Sequence, residues 1–312
     1  MFKFLFSRAS AIDINFNRNL PFNYFLNKSI AREIQSKGFV VIKNVVQEEQ
    51  IRFLLNTYQQ LTRFPDYSIH DKFQNSGRFQ SPAIRNFVMD SIGKFSNDFL
   101  PAVFDRYVYD ENTTGAFQIK PPSKVSELNP HQDAPVMDET AGNGLFVWIP
   151  LCDITAENGA VCVLPGSHLW GNHQRSLNVK WVFEKHTRLL WKHMQPVYLN
   201  AGDILCWDSA LIHSSLPNLT DQTRVAITTT LLSKNYTMVE YFKDNETPSG
   251  KIEKYQVERS FWESGDIMKR PPCPPNRFIG MEDMAFPSDI SKGEMLQLLE
   301  QTQQHISRTT NQ

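Results

Sequence analysis

Little in this 312-residue chain is in excess, and each missing excess removes a class of function. Lysine and arginine (32) nearly balance aspartate and glutamate (33), leaving a net charge of −1. No basic surplus exists to attract nucleic acid or an anionic membrane surface. Cysteine is scarce: Cys152, Cys162, Cys206 and Cys273 form no CxxC pair and no repeated spacing, which argues against a zinc ribbon or a disulfide framework. Three of the four sit in apolar runs and read as buried thiols, so a reducing, cytoplasmic setting is expected. No apolar run approaches the ~18 residues that suggest a membrane span. The opening MFKFLFSRAS is apolar and basic, yet too brief for a secretory core, and no small-x-small cleavage site precedes Asp13. Repeats, low-complexity tracts and linkers are also missing, so residues 1–312 are expected to form a single domain. What the chain does have is aromatics, 22 Phe, 9 Tyr and 6 Trp, enough to line both a core and a pocket.

The first third alternates helix and strand signals. NKSIAREIQSK (27–37) reads as a helix stopped by Gly38, FVVIKNVV (39–46) as a strand, and EEQIRFLLNTYQQL as a helix with Ile51, Leu54, Leu55, Tyr58 and Leu61 on one stripe. A polar loop is expected over 64–82 and a helix near 91–108. From Gly115 the texture changes to short apolar runs between turn signals: AFQIK (116–120), GLFVWIPLC (144–152), AVCVLP (160–165), QPVYL (195–199), DILCW (203–207), ALIHS (210–214) and RVAITTTLL (224–232). Asn158-Gly159 and Ala201-Gly202 sit where tight turns are wanted. This spacing predicts antiparallel strands closing into a barrel or jelly roll over about 115–232, with residues 1–114 as support and 233–312 as an extension. The stretch 166–194 interrupts the strands as a partly helical, Trp-rich insertion and a candidate pocket wall. Proline forces RPPCPPNR (270–277) to be extended and irregular. A helix is expected near 288–304.

Chemistry concentrates in four residues. His131 and Asp133 are two apart, which in a strand puts both on one face. His213 ends the ALIH run, read here as returning antiparallel beside DILCW, and Arg224 opens the run that follows a turn-rich connection. Two imidazoles and one carboxylate can hold a ferrous ion while leaving half of its octahedron open for a cosubstrate and dioxygen. Arg224, with small Ala226 beside it on the same face, offers a planar fork for a dicarboxylate cosubstrate, and Ser215 could donate a second hydrogen bond to that carboxylate. HxD alone is weak evidence, because surface and turn histidines match it by chance; the later histidine and arginine give it weight. His168 in the PGSH turn reads as a structural histidine. His70, His173, His186, His193 and His305 lack partners at ligand spacing and read as surface groups. Phe146 and Trp148 alternate with Leu145, Val147 and Ile149, so one of these two sets is ordinary core.

HQD at 131–133, LFVWIPLCDITAENGAVCVLPGSH at 145–168 and GDILCWDSALIHSSLPNLTDQTRVAI at 202–227 resemble the phytanoyl-CoA dioxygenase family. The likeness covers roughly residues 36–232. It implies a mainly β protein with flanking helices, built on a double-stranded β-helix of the jelly-roll or cupin-like type. It implies an enzyme that oxidises a small molecule with Fe(II), 2-oxoglutarate and O2. By the resemblance His131, Asp133 and His213 are the metal ligands and Arg224 binds the far carboxylate of 2-oxoglutarate. Trp148 matches a position beside the cosubstrate, and Gln118 and Lys120 fall where further contacts are often placed. An aspartate at 133 makes hydroxylation the expected outcome, because halogenases of this kind replace that carboxylate to admit chloride. A biosynthetic metabolite is the favoured substrate, ahead of a fatty acyl-CoA whose phosphates KRPPCPPNR could help to hold. A non-catalytic ligand-binding jelly roll is the rival from another class. The oligomeric state is not legible.

Overall fold

Alternation along the strands decides the layering. The computed structural model describes residues 25–105, 115–139, 142–170, 174–232, 236–264, 267–284 and 290–310; the opening segment MFKFLFSRAS and His173 lie outside them. In chain order the elements are α1 (Lys28–Lys37), β1 (Phe39–Ile42), α2 (Glu48–Gln60), β2 (Gln74–Asn75), α3 (Pro82–Phe99), β3 (Gly115–Lys120), β4 (Leu128–His131), β5 (Leu145–Pro150), β6 (Val161–Val163), α4 (Thr187–Trp191), β7 (Gln195–Val197), β8 (Ile204–Asp208), β9 (His213–Ser215), β10 (Arg224–Leu231), β11 (Val239–Phe242), β12 (Lys251–Gln256), α5 (Arg259–Ser264), β13 (Arg277–Asp283) and α6 (Lys292–Thr310).

A six-stranded antiparallel sheet runs β1-β8-β5-β10-β3-β2, and a four-stranded one runs β4-β9-β6-β7. The long strands of the larger sheet are largely buried on both faces, one mostly apolar and the other also carrying Gln118, Lys120, Arg224, Thr228 and Thr230. Leu145, Val147, Ile149, Phe117, Ile119, Ile204, Cys206, Val225 and Ile227 pack against Ile51, Leu54 and Leu61 of the α2 region and Ile84, Val88 and Ile92 of α3. Their neighbours Trp148, Leu205, Trp207 and Ala226 turn the other way and meet Val161, Val163 and Val197 of the smaller sheet. The result is the mainly β, double-stranded β-helix expected, with α2 and α3 on the outer face of the larger sheet, α4 and α6 packed in a separate cluster, and a site between the sheets.

Local chemistry explains the boundaries. Asn27 caps α1 by accepting from the Ser29 N–H at 2.9 Å. Gly38 ends it at φ +82°, and a Cβ there would lie 2.4 Å from His168 Nδ1. β1 is shorter than the expected 39–46 because Asn44 turns to φ +54° and the N–H groups of Val45 and Val46 go to the Gly202 carbonyl. The third helix runs over 82–99 rather than 91–108, started by Ser81 and Pro82 at its first turn.

One expectation about the site strands fails. β8 and β9 do not form a hairpin, since they lie in different sheets. The chain crosses between the sheets through a tight turn, with the Ala210 N–H on Asp208 Oδ1 (2.8 Å) and the Leu211 N–H on the Asp208 carbonyl (2.8 Å). Beyond residue 233, β11, β12 and β13 form a third antiparallel sheet that no periodicity announced.

Candidate active site

His131 and His213 face each other as a register pair across β4 and β9, next to a register irregularity, and their ring centroids are 4.3 Å apart. Strand alternation does not bring Asp133 to them, because β4 ends at His131. The chain beyond the strand is held by tertiary contacts instead. Arg175 Nε donates to the Asp133 carbonyl at 2.8 Å, and the Trp207 indole N–H donates to Asp133 Oδ2 at 3.3 Å. Asp133 Oδ2 then lies 3.6 Å from His213 Nε2. One ligand atom from each of His131, Asp133 and His213 falls within 4.8 Å of the others.

The donor set fits a metal ion. His131 Nδ1–H donates to the Asn129 carbonyl (2.8 Å) and His213 Nδ1–H to the Leu211 carbonyl (3.1 Å), which leaves each Nε2 lone pair free to bind. Loss of solvent, and then the neighbouring His213, push the His131 pKa down to about 4, so this ring is neutral at physiological pH. Two imidazoles and one carboxylate give the open-faced set suited to ferrous iron.

Four residues outside the sequence reading position this set. Trp207 stacks on Phe146 (5.9 Å) and sits 5.0 Å from the His213 ring while holding Asp133. Arg175 is fixed by a buried ion pair with Glu139 at 2.9 Å, and Glu139 also accepts from Ser209 Oγ at 2.6 Å. Gln132 donates to the Ala210 carbonyl and accepts from the Trp181 indole N–H at 2.9 Å, tying the two ligand-bearing segments together. These partners are remote in sequence, so only the polar type of Gln132 and Arg175 hinted at a role. Trp207→Phe keeps the stacking and removes the donor to Asp133. It is expected to weaken metal affinity about tenfold with an unchanged fold, read by metal titration and circular dichroism.

Arg224 lies in the larger sheet and faces the smaller one rather than flanking β9 in a sheet. It is 2% exposed, and its Nε and Nη1 have no hydrogen-bond partner among the described residues. Burial pulls its pKa down to about 10. Trp148, fully buried in the interior set of β5, places its ring 5.3 Å from the guanidinium carbon. A buried cation with unpaired donors and an aromatic backing is a ready seat for a carboxylate.

Lys120 and Ser215, expected as cosubstrate contacts, are engaged with each other. Lys120 Nζ meets Ser215 Oγ at 2.7 Å and donates to the carbonyls of Ser126 (2.8 Å) and Leu216 (2.6 Å). The pair braces the two sheets beside Arg224, which is the register partner of Lys120. Gly159 makes room, since a Cβ there would lie 2.3 Å from Lys120 Cδ. Gln118 is half-buried opposite Ala226 on the same sheet face.

Burial, then Arg224, press the Lys120 pKa from its ordinary 10.5 down to about 6. Between those values the unfolded chain binds more protons than the folded one, so stability rises with pH. Denaturant unfolding at pH 6.5 and pH 9 is expected to show wild type gaining stability at the higher pH relative to Lys120→Met. An identical pH response in both proteins would contradict this.

His168 is buried in the PGSH turn with Nε2 3.1 Å from the Gln35 carbonyl, away from the three-ligand cluster. His186 Nε2 contacts the Ile290 carbonyl at 2.7 Å. Arg270, from the segment considered for CoA phosphates, is held by Glu253 at 3.0 Å and Asp244 at 2.9 Å. A cavity opens beside Asp133, walled by Ala116, Phe146, Thr228 and Thr230 from the larger sheet and by Leu177 from the 166–194 insertion.

Comparison with known proteins identifies the family and the fold. The sequence model of the phytanoyl-CoA dioxygenase (PhyH) family matches residues 34–226. A rat protein described as phytanoyl-CoA dioxygenase domain-containing protein 1 is 31% identical over 117 residues, 35% of this chain and 40% of its own length. A Dictyostelium discoideum homologue of that protein is 24% identical over 168 residues, 50% of this chain and 59% of its own. Each alignment thus spans less than two thirds of the relative. Among solved structures, the non-heme alpha-ketoglutarate-dependent carbocyclase SnoK of nogalamycin biosynthesis superposes with a TM-score of 0.50 at 19% identity. That superposition covers 68% of this chain and 86% of SnoK, a likeness of fold.

Proposed function

Given that the chain belongs to the phytanoyl-CoA dioxygenase family, we propose that it is an Fe(II)- and 2-oxoglutarate-dependent oxygenase that hydroxylates a small organic molecule. The observation that carries this is the convergence of three metal-competent side chains in a protein whose interior also holds a buried arginine with unpaired donors. His131 Nε2, His213 Nε2 and Asp133 would hold the iron, and Arg224, backed by Trp148, the far carboxylate of 2-oxoglutarate. When bound there, iron with 2-oxoglutarate and O2 supplies an oxidation strong enough to place oxygen on an unactivated C–H bond, converting 2-oxoglutarate to succinate and carbon dioxide.

The protein's own contribution is orientation. Trp207 and Arg175 fix the Asp133 carboxylate and its backbone, and the carbonyls of Asn129 and Leu211 fix the imidazole tautomers. Lys120 and Ser215 keep the sheets at the spacing that leaves Arg224 facing the interior. The cavity beside Asp133 holds the substrate and shields it from water. Arg270 is spent on carboxylates, which supports a small metabolite over a CoA thioester. The four cysteines are unpaired, in keeping with a cytoplasmic setting, and among the described residues no helix is long and apolar enough to cross a membrane.

The test is stoichiometry. Purified protein loaded with iron and 2-oxoglutarate is expected to form one succinate per O2 consumed, at a rate that rises when the correct substrate is added. Oxygen-independent turnover, or none at all under a broad metabolite screen, would refute the assignment.

A further inference from the structure

The cavity beside Asp133 carries more chemistry than an apolar slot requires. Its wall is largely hydrocarbon and aromatic, with Met89, Val136, Phe146, Leu177, Trp262 and Ile267 contributed by five separate segments. Such a lining suits the body of a small apolar molecule. Asp133 is the only carboxylate among the described lining residues, and Arg78 is the only cation.

Arg78 stands at the junction between this cavity and the adjoining depression formed within residues 66–80. It has no carboxylate within ion-pair distance among the described residues, unlike Arg175, Arg259 and Arg270. Two further donors share the wall with it. Thr228, 8% exposed, has a buried Oγ1 with no hydrogen-bond partner among the described residues, and the same is true of the Trp262 indole N–H. A cation and two unpaired donors on a wall whose other polar side chains are Asn75, Asp133 and Thr230 complement an acceptor-rich, negatively charged group.

We propose that the pocket selects a small organic anion, an apolar body with one carboxylate or phosphate ester, and that Arg78 is the residue that anchors the charge. Arg224 is not among the described residues that line this cavity, so substrate and cosubstrate are recognised by different guanidinium groups. Arg78 fixes the charged end, and the apolar body reaches past Phe146 toward Asp133. Which C–H bond is presented then follows from its distance to the anion. This rests on the oxygenase reading, because the cavity is assigned to substrate by its opening onto a proposed metal ligand.

The test uses Ni(II) in place of iron, with 2-oxoglutarate present, so that binding is measured without turnover. Calorimetry compares 3-phenylpropionate, 3-phenylpropanamide and 3-phenylpropyl phosphate. Wild type is expected to bind one of the anions at least roughly tenfold more tightly than the amide. The tighter anion identifies whether the natural group is a carboxylate or a phosphate ester. Arg78→Ala is expected to bring anion and amide within about twofold, and Arg78→Glu to prefer 3-phenylpropylamine. An amide that binds wild type as well as the acids overturns the proposal. So does a preference that survives in Arg78→Ala, or failure of all three to bind while 2-oxoglutarate does. Weakened 2-oxoglutarate binding in Arg78→Ala would move this residue to the cosubstrate site and overturn it as well. Failure of the nickel-loaded wild type to bind 2-oxoglutarate sinks the oxygenase reading instead.

Discussion

Arg224→Ala is expected to raise the dissociation constant for 2-oxoglutarate by two to three orders of magnitude. The guanidinium is 2% exposed, and two of its nitrogens lack partners among the described residues. A carboxylate arriving there gains charge-assisted hydrogen bonds without displacing an ion pair among the described residues. Losing such a fork costs about 3–4 kcal/mol, which is the stated range in affinity. Arg224→Lys should recover part of the charge and little of the geometry, because an ammonium cannot present two parallel N–H donors. The measurement is 2-oxoglutarate binding to metal-loaded protein, together with the cosubstrate concentration needed for half-maximal turnover. Unchanged affinity in Arg224→Ala would remove 2-oxoglutarate from this seat.

His131→Ala and His168→Ala should part company sharply. His131 offers a free Nε2 toward His213 and Asp133, and its loss leaves two ligands where three are needed. Metal binding near neutral pH is expected to become undetectable in a titration that saturates wild type, and turnover should vanish with it. His168 instead fills the space under Gly38 and bonds the Gln35 carbonyl. His168→Ala is expected to destabilise folding by about 1–3 kcal/mol, from a buried cavity and an unpaired carbonyl, with metal affinity retained. Equal loss of metal from both variants would undo the distinction between ligand and structural histidine.

The strands of the core were legible because their residues are β-branched or aromatic and burial on both faces made each run continuous. Leu145 through Pro150 and Arg224 through Leu231 are examples. α1 was legible to the residue at its stop, since Gly38 reaches a backbone conformation that other residues resist. β12 was not legible. KIEKYQ reads as a polar segment, and it becomes an inner strand only because Lys254 meets Asp138 at 2.7 Å and Glu282 at 2.8 Å while Glu253 is held by Arg270. Those partners lie up to 116 residues away. Ser81-Pro82 is the sequence signal at the start of α3, since proline suits the first turn of a helix.

The site shows the same division. The side-chain types and spacing of His131, Asp133, His213 and Arg224 pointed to one chemistry before any fold was known. The reason they converge was different from the one the spacing implied. Asp133 is aligned by Trp207 and Arg175 rather than by strand alternation, and His213 reaches His131 across a sheet entered from the other layer. Lys120 and Ser215 carried polar types suited to ligand binding, yet hydrogen bonding between them gives them a bracing task that no one-dimensional pattern reveals.

Anomalous diffraction from crystals grown without oxygen, with Mn(II) in place of iron and 2-oxoglutarate added, tests the central claim most directly. One metal peak is expected, bonded to His131 Nε2, His213 Nε2 and an Asp133 oxygen, with the distal carboxylate of 2-oxoglutarate on Arg224. A metal peak away from these three side chains, or 2-oxoglutarate seated without Arg224, would contradict it.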